Sequence, residues 1–263
     1  MRLVRRLLHT SAVLLLAIPA FAQTAPQTST THKSTTSTTT HKPAAATYDR
    51  SLLRPTLLKE TAPATYQVKF ETTRGEFTVT VHRDWAPNGA DRFYNLIKHH
   101  YYDGARLYRV IPNFVAQFGI SAYPPVNAAW AHATIKDDPV TQKNIRGTLT
   151  FAKTSQPNSR TTEIFISMKD NSFLDSQGFA PFATVDGNGM NVVEMFYDQY
   201  PDPAGAGEQP NMNKGGEKYI AEKFPKLDTI KSATIVGAPA SAAPPKPAPK
   251  STTKSTTTPK PKP

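Results

Sequence analysis

Short apolar runs dominate the middle of the chain. Residues 107–111, 114–120, 148–152, 164–168 and 182–185 form runs of four to seven residues, bounded by Pro, Gly, Asn or Asp. Runs this short, punctuated this way, read as strands of a sandwiched or closed β structure. Residues 66–82 add a hairpin. Val68 and Phe70 alternate with Gln67 and Lys69, and Phe77, Val79 and Val81 alternate with Thr78 and Thr80. Thr73-Arg74-Gly75 supplies the turn. A last strand is expected at 232–236.

Helical periodicity is scarcer. Asp84 is a candidate cap, Pro87 sits at a first turn, and Ala90, Phe93 and Ile97 share a face until Gly104 breaks the pattern. Residues 190–200 place Val192, Met195 and Phe196 on one face and stop at Pro201. Residues 201–216 are rich in Pro, Gly and Asn and predict a long loop, with a short helix at 218–224. Residues 47–65 carry Leu52, Leu53, Leu57 and Leu58, which predicts that this extension packs along the domain. The folded region, 66–236, is therefore mainly β with two main helices, and is long enough to enclose a core.

The ends differ in composition. Residues 1–22 combine Arg2, Arg5 and Arg6 with a short apolar run and Ala20-Phe21-Ala22, the pattern of a cleaved export signal. The run is about half the length of a membrane span. The mature chain is expected to begin at Gln23 and to be periplasmic or secreted. Residues 23–46 are Thr/Ser-rich and 237–263 are rich in Pro, Ala, Lys and Thr, so both are expected to be disordered. The C-terminal tail is either a solubilising segment or a contact to an anionic envelope surface.

The formal charge of +11 suggests nucleic acid until it is mapped. The ends hold ten Lys/Arg and no acid, and residues 47–236 hold 21 basic and 20 acidic residues. A nearly neutral domain lacks the broad basic face of a nucleic-acid binder. The chain has no cysteine, which excludes disulfides, thiolate metal sites and a cysteine nucleophile. There is no Gly-x-Ser-x-Gly elbow. His99 and His100 are adjacent near a helix end and read as surface residues favoured by the helix dipole. His82 and His132 lack acidic or cysteine neighbours at metal-binding spacing. Asp137-Asp138-Pro139 reads as turn chemistry, with weak calcium binding as the alternative. No metal or cofactor is expected.

One stretch stands out. Arg109 lies on a strand that ends at Pro112-Asn113, and a second strand starts at Phe114 and carries Gln117 before Gly119. Such a hairpin projects Arg109 and Gln117 to one face with Phe114 between them.

Tyr108-Arg109-Val110-Ile111-Pro112-Asn113-Phe114-Val115-Ala116-Gln117 resembles the signature of the cyclophilin family of peptidyl-prolyl isomerases. The similarity continues through Gly147-Thr148-Leu149-Thr150-Phe151-Ala152, then Thr162-Glu163-Ile164-Phe165-Ile166. It goes on through Phe173-Leu174-Asp175 and Gly178-Phe179-Ala180-Pro181-Phe182, and spans about residues 66–236. It implies a closed eight-stranded antiparallel barrel with a helix capping each end and a ligand groove on the outer face. Carried over, Arg109 is the catalytic residue and Gln117 bonds the substrate backbone beside it. Phe114, Val115, Phe165 and Leu174 line the pocket for the proline ring. Ala152 and Lys153 meet the backbone before proline.

The chain departs from the family pattern at the groove. Glu163 stands where Gln is usual, Phe173 where many members have Trp, Phe179 where a histidine is common, and Lys153 where Asn is common. Loss of the indole N–H is expected to weaken cyclosporin binding. An Arg160–Glu163 ion pair in the groove is also expected. The implied function is prolyl isomerisation of polypeptide clients in the envelope by a monomer. The alternatives are a groove that holds proline segments with little turnover, and a tail-tethered scaffold.

Overall fold

The computed structural model describes residues 48–202 and 207–237. The expected export signal, the 23–46 segment and the tail beyond Gly237 lie outside the described residues.

The fold is a curled sheet of eight antiparallel strands, with a few helices. The strands are β1 (Thr65–Thr72), β2 (Gly75–His82), β3 (Arg109–Ile111), β4 (Val115–Phe118), β5 (Thr148–Phe151), β6 (Ile164–Ser167), β7 (Pro181–Val185) and β8 (Ile230–Val236). Their order across the sheet is β3-β4-β6-β5-β7-β2-β1-β8. β1 and β2 form the expected hairpin, with Thr72 opposite Gly75 and the Phe70 and Phe77 rings stacked at 4.9 Å. Every apolar run at 107–185 coincides with a strand; four strands are one to three residues shorter than their runs, and β7 starts one residue before its own. The sheet's ends, β3 and β8, are not partners in the ladder. Where the chain enters each of them, Gly104 N–H donates to Ile230 O at 2.8 Å and Leu107 N–H to Asp228 O at 3.0 Å.

The pleat sorts side chains between two apolar clusters. Ala116 and Phe118 of β4, Leu149 and Phe151 of β5, and Ile164 and Ile166 of β6 point into the main core. The intervening Val115 and Phe165 belong to a separate cluster on the outer face. All four residues of each of these strands are buried, because both faces of this part of the sheet are covered.

Helix α1 (Pro87–Lys98) turns Ala90, Phe93 and Ile97 into the core as expected. Its cap is Ala86, not Asp84, and the cap offers no side-chain acceptor. Asp138 takes that role from 50 residues downstream, accepting the N–H of Asn88 at 3.0 Å and of Gly89 at 2.9 Å. Asp138 thus anchors the first turn of α1 rather than forming a turn of its own. The helix ends at Lys98, before Gly104.

The second predicted helix is corrected. At 190–200 only α3 (Met190–Val193) is helical, and Met195 is exposed. The region read as a long loop instead holds the first half of α4 (Glu208–Lys223), whose second half is the short helix expected at 218–224; the two meet at a kink at Gly216 (φ 58°). A Cβ on Gly216 would lie 2.5 Å from Ala122 O, so glycine is required where α4 crosses the start of α2 (Pro124–Trp130). Helix α2 escaped the sequence reading, because Pro124-Pro125 looks like a breaker rather than a first turn. α4 buries Met212 and Ile220 against Tyr108, Ile120 and Leu227.

The N-terminal extension packs in part. Leu52 is buried and its carbonyl accepts the Trp130 indole N–H at 2.8 Å; Leu58 is partly buried against the core. Leu53 and Leu57 are exposed, contrary to expectation. His99 is not a free surface residue: its Nδ1 lies 2.6 Å from Asp49 Oδ2 and 2.8 Å from Ser51 Oγ. That contact ties the extension to the end of α1.

Candidate active site

β3 and β4 are joined by the turn at Pro112-Asn113, where Asn113 takes a left-handed φ of 58° that asparagine tolerates well. The register sets Arg109 directly opposite Gln117. Arg109 Nη1 donates to Gln117 Oε1 at 3.1 Å, and the guanidinium carbon lies 5.5 Å from the Phe114 ring centre. Arginine can only donate, so the amide atom facing it must be oxygen. Gln117 Nε2 therefore points away, donating to Tyr108 Oη at 2.6 Å and Glu163 Oε2 at 3.0 Å. Both N–H bonds of that amide are engaged. Toward a ligand, Gln117 keeps acceptor capacity on Oε1.

Beside this pair lies an apolar pocket. Val115, Phe165 and Leu174 are buried, with Phe114, Ala152 and Phe179 packed against them. Phe165 and Phe179 meet edge to face at 5.8 Å, and Phe114 stacks with the exposed Phe173 at 6.1 Å. Lys153 lines the groove with its ammonium 5.9 Å from the Phe179 ring centre and 3.3 Å from Gln177 O. The groove encloses about 470 Å³ and brings together every expected site residue except Phe173, which joins at the rim through Phe114.

One buried carboxylate, Glu163, shapes its electrostatics. Burial pushes the Glu163 carboxyl above the ordinary glutamate value, against hydrogen bonds from Tyr108 and Gln117 that favour ionisation. Burial likewise pushes the Tyr108 hydroxyl well up, so it stays a donor to Glu163. The expected Arg160–Glu163 pair does not form. Arg160 turns inward to Asp138 at 3.0 Å, with both side chains out of water, while Glu163 serves Tyr108 and Gln117.

Sequence reasoning missed three groups. Asp202 holds Arg109 through two bonds, Nε to Oδ1 at 2.8 Å and Nη2 to Oδ2 at 3.0 Å. Gln209 of α4 donates to Tyr108 Oη at 3.0 Å. Asn144 binds Asp175 and Phe179 O, each at 2.8 Å, and so fixes the segment bearing Leu174 and Phe179. Only Asp175 carried a sequence signal, as part of the Phe173-Leu174-Asp175 motif.

The sequence model of the family described as cyclophilin type peptidyl-prolyl cis-trans isomerase/CLD matches residues 67–215. The chain belongs to the cyclophilin-type peptidyl-prolyl isomerases. A peptidyl-prolyl cis-trans isomerase of Acinetobacter baylyi is 32% identical over 180 residues, covering 66% of this chain and 94% of that protein. Peptidyl-prolyl cis-trans isomerase B of Escherichia coli is 32% identical over 135 residues, covering 48% of this chain and 81% of its own length. The crystal structure of the Hirschia baltica cyclophilin AquaCyp293 shares the fold at a TM-score of 0.50 and 16% identity, covering 69% of this chain and 77% of that one. The activity of this cyclophilin is peptidyl-prolyl cis-trans isomerisation. No helix among the described residues is long and apolar enough to cross a membrane.

Proposed function

We propose that Arg109 carries the isomerisation by binding the twisted Xaa-Pro amide better than either planar form. The observation that carries this is the placement of Arg109, locked to Gln117, at the edge of the apolar pocket of Phe114, Phe165 and Leu174. Rotation about the prolyl bond faces a barrier of ~18–20 kcal/mol because it breaks amide resonance. At the top of the barrier the proline nitrogen regains a lone pair. A guanidinium N–H aimed at that nitrogen stabilises the twisted state selectively. A reduction of about 7 kcal/mol would accelerate the reaction by about five decades. One hydrogen bond contributes less than that, so the pocket and the backbone clamp share the task. The pocket holds the ring while the rest of the chain turns. Gln117 Oε1 accepts a substrate N–H, and the Ala152-Lys153 backbone meets the residue before proline. No bond to substrate forms and no metal is called upon.

The clients are proline-containing polypeptides, and the setting is the cell envelope. The basic and apolar start of the chain with its Ala20-Phe21-Ala22 site supports export. Closure of the sheet into a barrel is supported by the backbone bonds between 104–107 and 228–230.

The test is cis/trans exchange by NMR on a short Ala-Pro peptide. Wild type should accelerate exchange and Arg109→Ala should largely lose it. No acceleration by folded wild type would leave a binding module. Equal acceleration by both would remove Arg109 from its role. N-terminal sequencing of the protein recovered from envelope fractions should begin at Gln23.

A further inference from the structure

We infer that Asp202 is a positioning residue for the reaction, fixing the plane of the Arg109 guanidinium and so choosing which N–H groups meet the substrate. The inference rests on the catalytic reading of Arg109. Arginine carries five N–H donors on a planar fork. Asp202 engages Nε and Nη2 along one edge, and Gln117 engages Nη1. Among the described residues these three bonds leave one N–H on each terminal nitrogen for a ligand.

Without the carboxylate, a long side chain at the end of a three-residue strand would be held by one amide oxygen and a ring contact. Arginine has enough rotamer freedom to leave the reactive orientation often. Misplacement by about 1 Å can cost about a hundredfold in rate. A bidentate carboxylate removes that freedom, because the two parallel bonds define a plane as well as a point. Asp202 comes from 93 residues downstream, in the segment leading to α4. The same region supplies Gln209 to Tyr108, so the Arg109–Gln117 pair is supported from both ends.

Asp202→Asn keeps the size but replaces one acceptor oxygen with an NH2 that faces a donor. Asp202→Glu restores the carboxylate. Glu194→Gln removes the exposed Arg146–Glu194 pair, remote in kind from the groove, and serves as control. Exchange rates and steady-state constants on the Ala-Pro peptide, with thermal midpoints for each variant, form the test. Asp202→Asn should lower kcat about tenfold with KM within about twofold, at an unchanged midpoint. Asp202→Glu should recover at least half of that loss, and the control should match wild type. Wild-type kinetics in Asp202→Asn would overturn the proposal and make the pair a surface contact. A faster Asp202→Asn would also overturn it, showing that the carboxylate shields Arg109. A wild type with no activity overturns the function reading, and this proposal with it, from the wild-type trace alone.

Discussion

Arg160 and Asp138 meet at 3.0 Å with side chains only 2% and 1% exposed. This buried ion pair links the loop below the groove to the first turn of α1, since Asp138 also accepts the N–H groups of Asn88 and Gly89.

Removing one member of such a pair leaves the other charged and out of water. Asp138→Ala should destabilise the protein by about 3–5 kcal/mol, because the buried Arg160 guanidinium loses its closest carboxylate, keeping the 3.4 Å contact to Asp137 and the Lys136 carbonyl, and α1 loses its acceptor. Urea unfolding followed by circular dichroism reads the change. A loss below about 1 kcal/mol would mean that water reaches Arg160.

Arg109 should not tolerate lysine. An ammonium keeps the charge but cannot hold Asp202 through two bonds, bond Gln117 and face the substrate at once. Arg109→Lys should lose about a hundredfold in kcat/KM, near the cost of one transition-state donor, at unchanged stability. Retention of most activity would show that charge alone suffices.

Glu163 sets a pH dependence. Its folded carboxyl titrates above the ordinary value of 4.5, because burial disfavours the charge. The folded state therefore holds the proton more tightly than the unfolded state. That contribution to stability is complete below the ordinary value and is lost as pH rises through the folded one. Glu163→Gln should gain stability over wild type at pH 7–8 and show little difference near pH 4. Equal curves at all pH values would contradict the assignment. Asp49 runs the other way. The hydrogen bond with His99 holds it at about 2 rather than 3.8, so its contribution is present above 3.8 and lost as pH falls toward 2. Asp49→Asn should remove that acid-side slope.

Gly119 sits where β4 leaves the sheet, with φ 128°. A Cβ there would lie 2.5 Å from both Glu163 Cα and Thr162 O. Gly119→Ala should cost at least the ~1–3 kcal/mol of a strained backbone and displace Glu163 from Gln117. Stability and peptide KM should worsen together; a change in neither would show that the two segments can part without harm.

The strands were legible because each depends on neighbours two residues apart. Val68/Phe70 and Phe77/Val79/Val81 announce their buried face locally. The groove was legible because Arg109, Phe114 and Gln117 lie on one hairpin, and because their order matches a family pattern. Helix α4 was legible only in its last part, expected at 218–224. Its first half buries Met212 alone, set among Pro210, Gly215 and Gly216, and local signals read such a stretch as loop.

By itself, then, the sequence determined the strand alternation, the hairpin that pairs Arg109 with Gln117, and the apolar residues of the pocket beside that pair. Tertiary structure decided which carboxylate meets which cation. Arg160 went to Asp138 rather than to Glu163, three residues away, because Asp138 lies inside against α1 while Glu163 is turned toward Tyr108 and Gln117. It also brought Asp202 to Arg109 across 93 positions. Charge pairing acts over a few ångströms of space and is indifferent to separation along the chain. No local pattern encodes it, and only the packed sheet and helices bring the partners together.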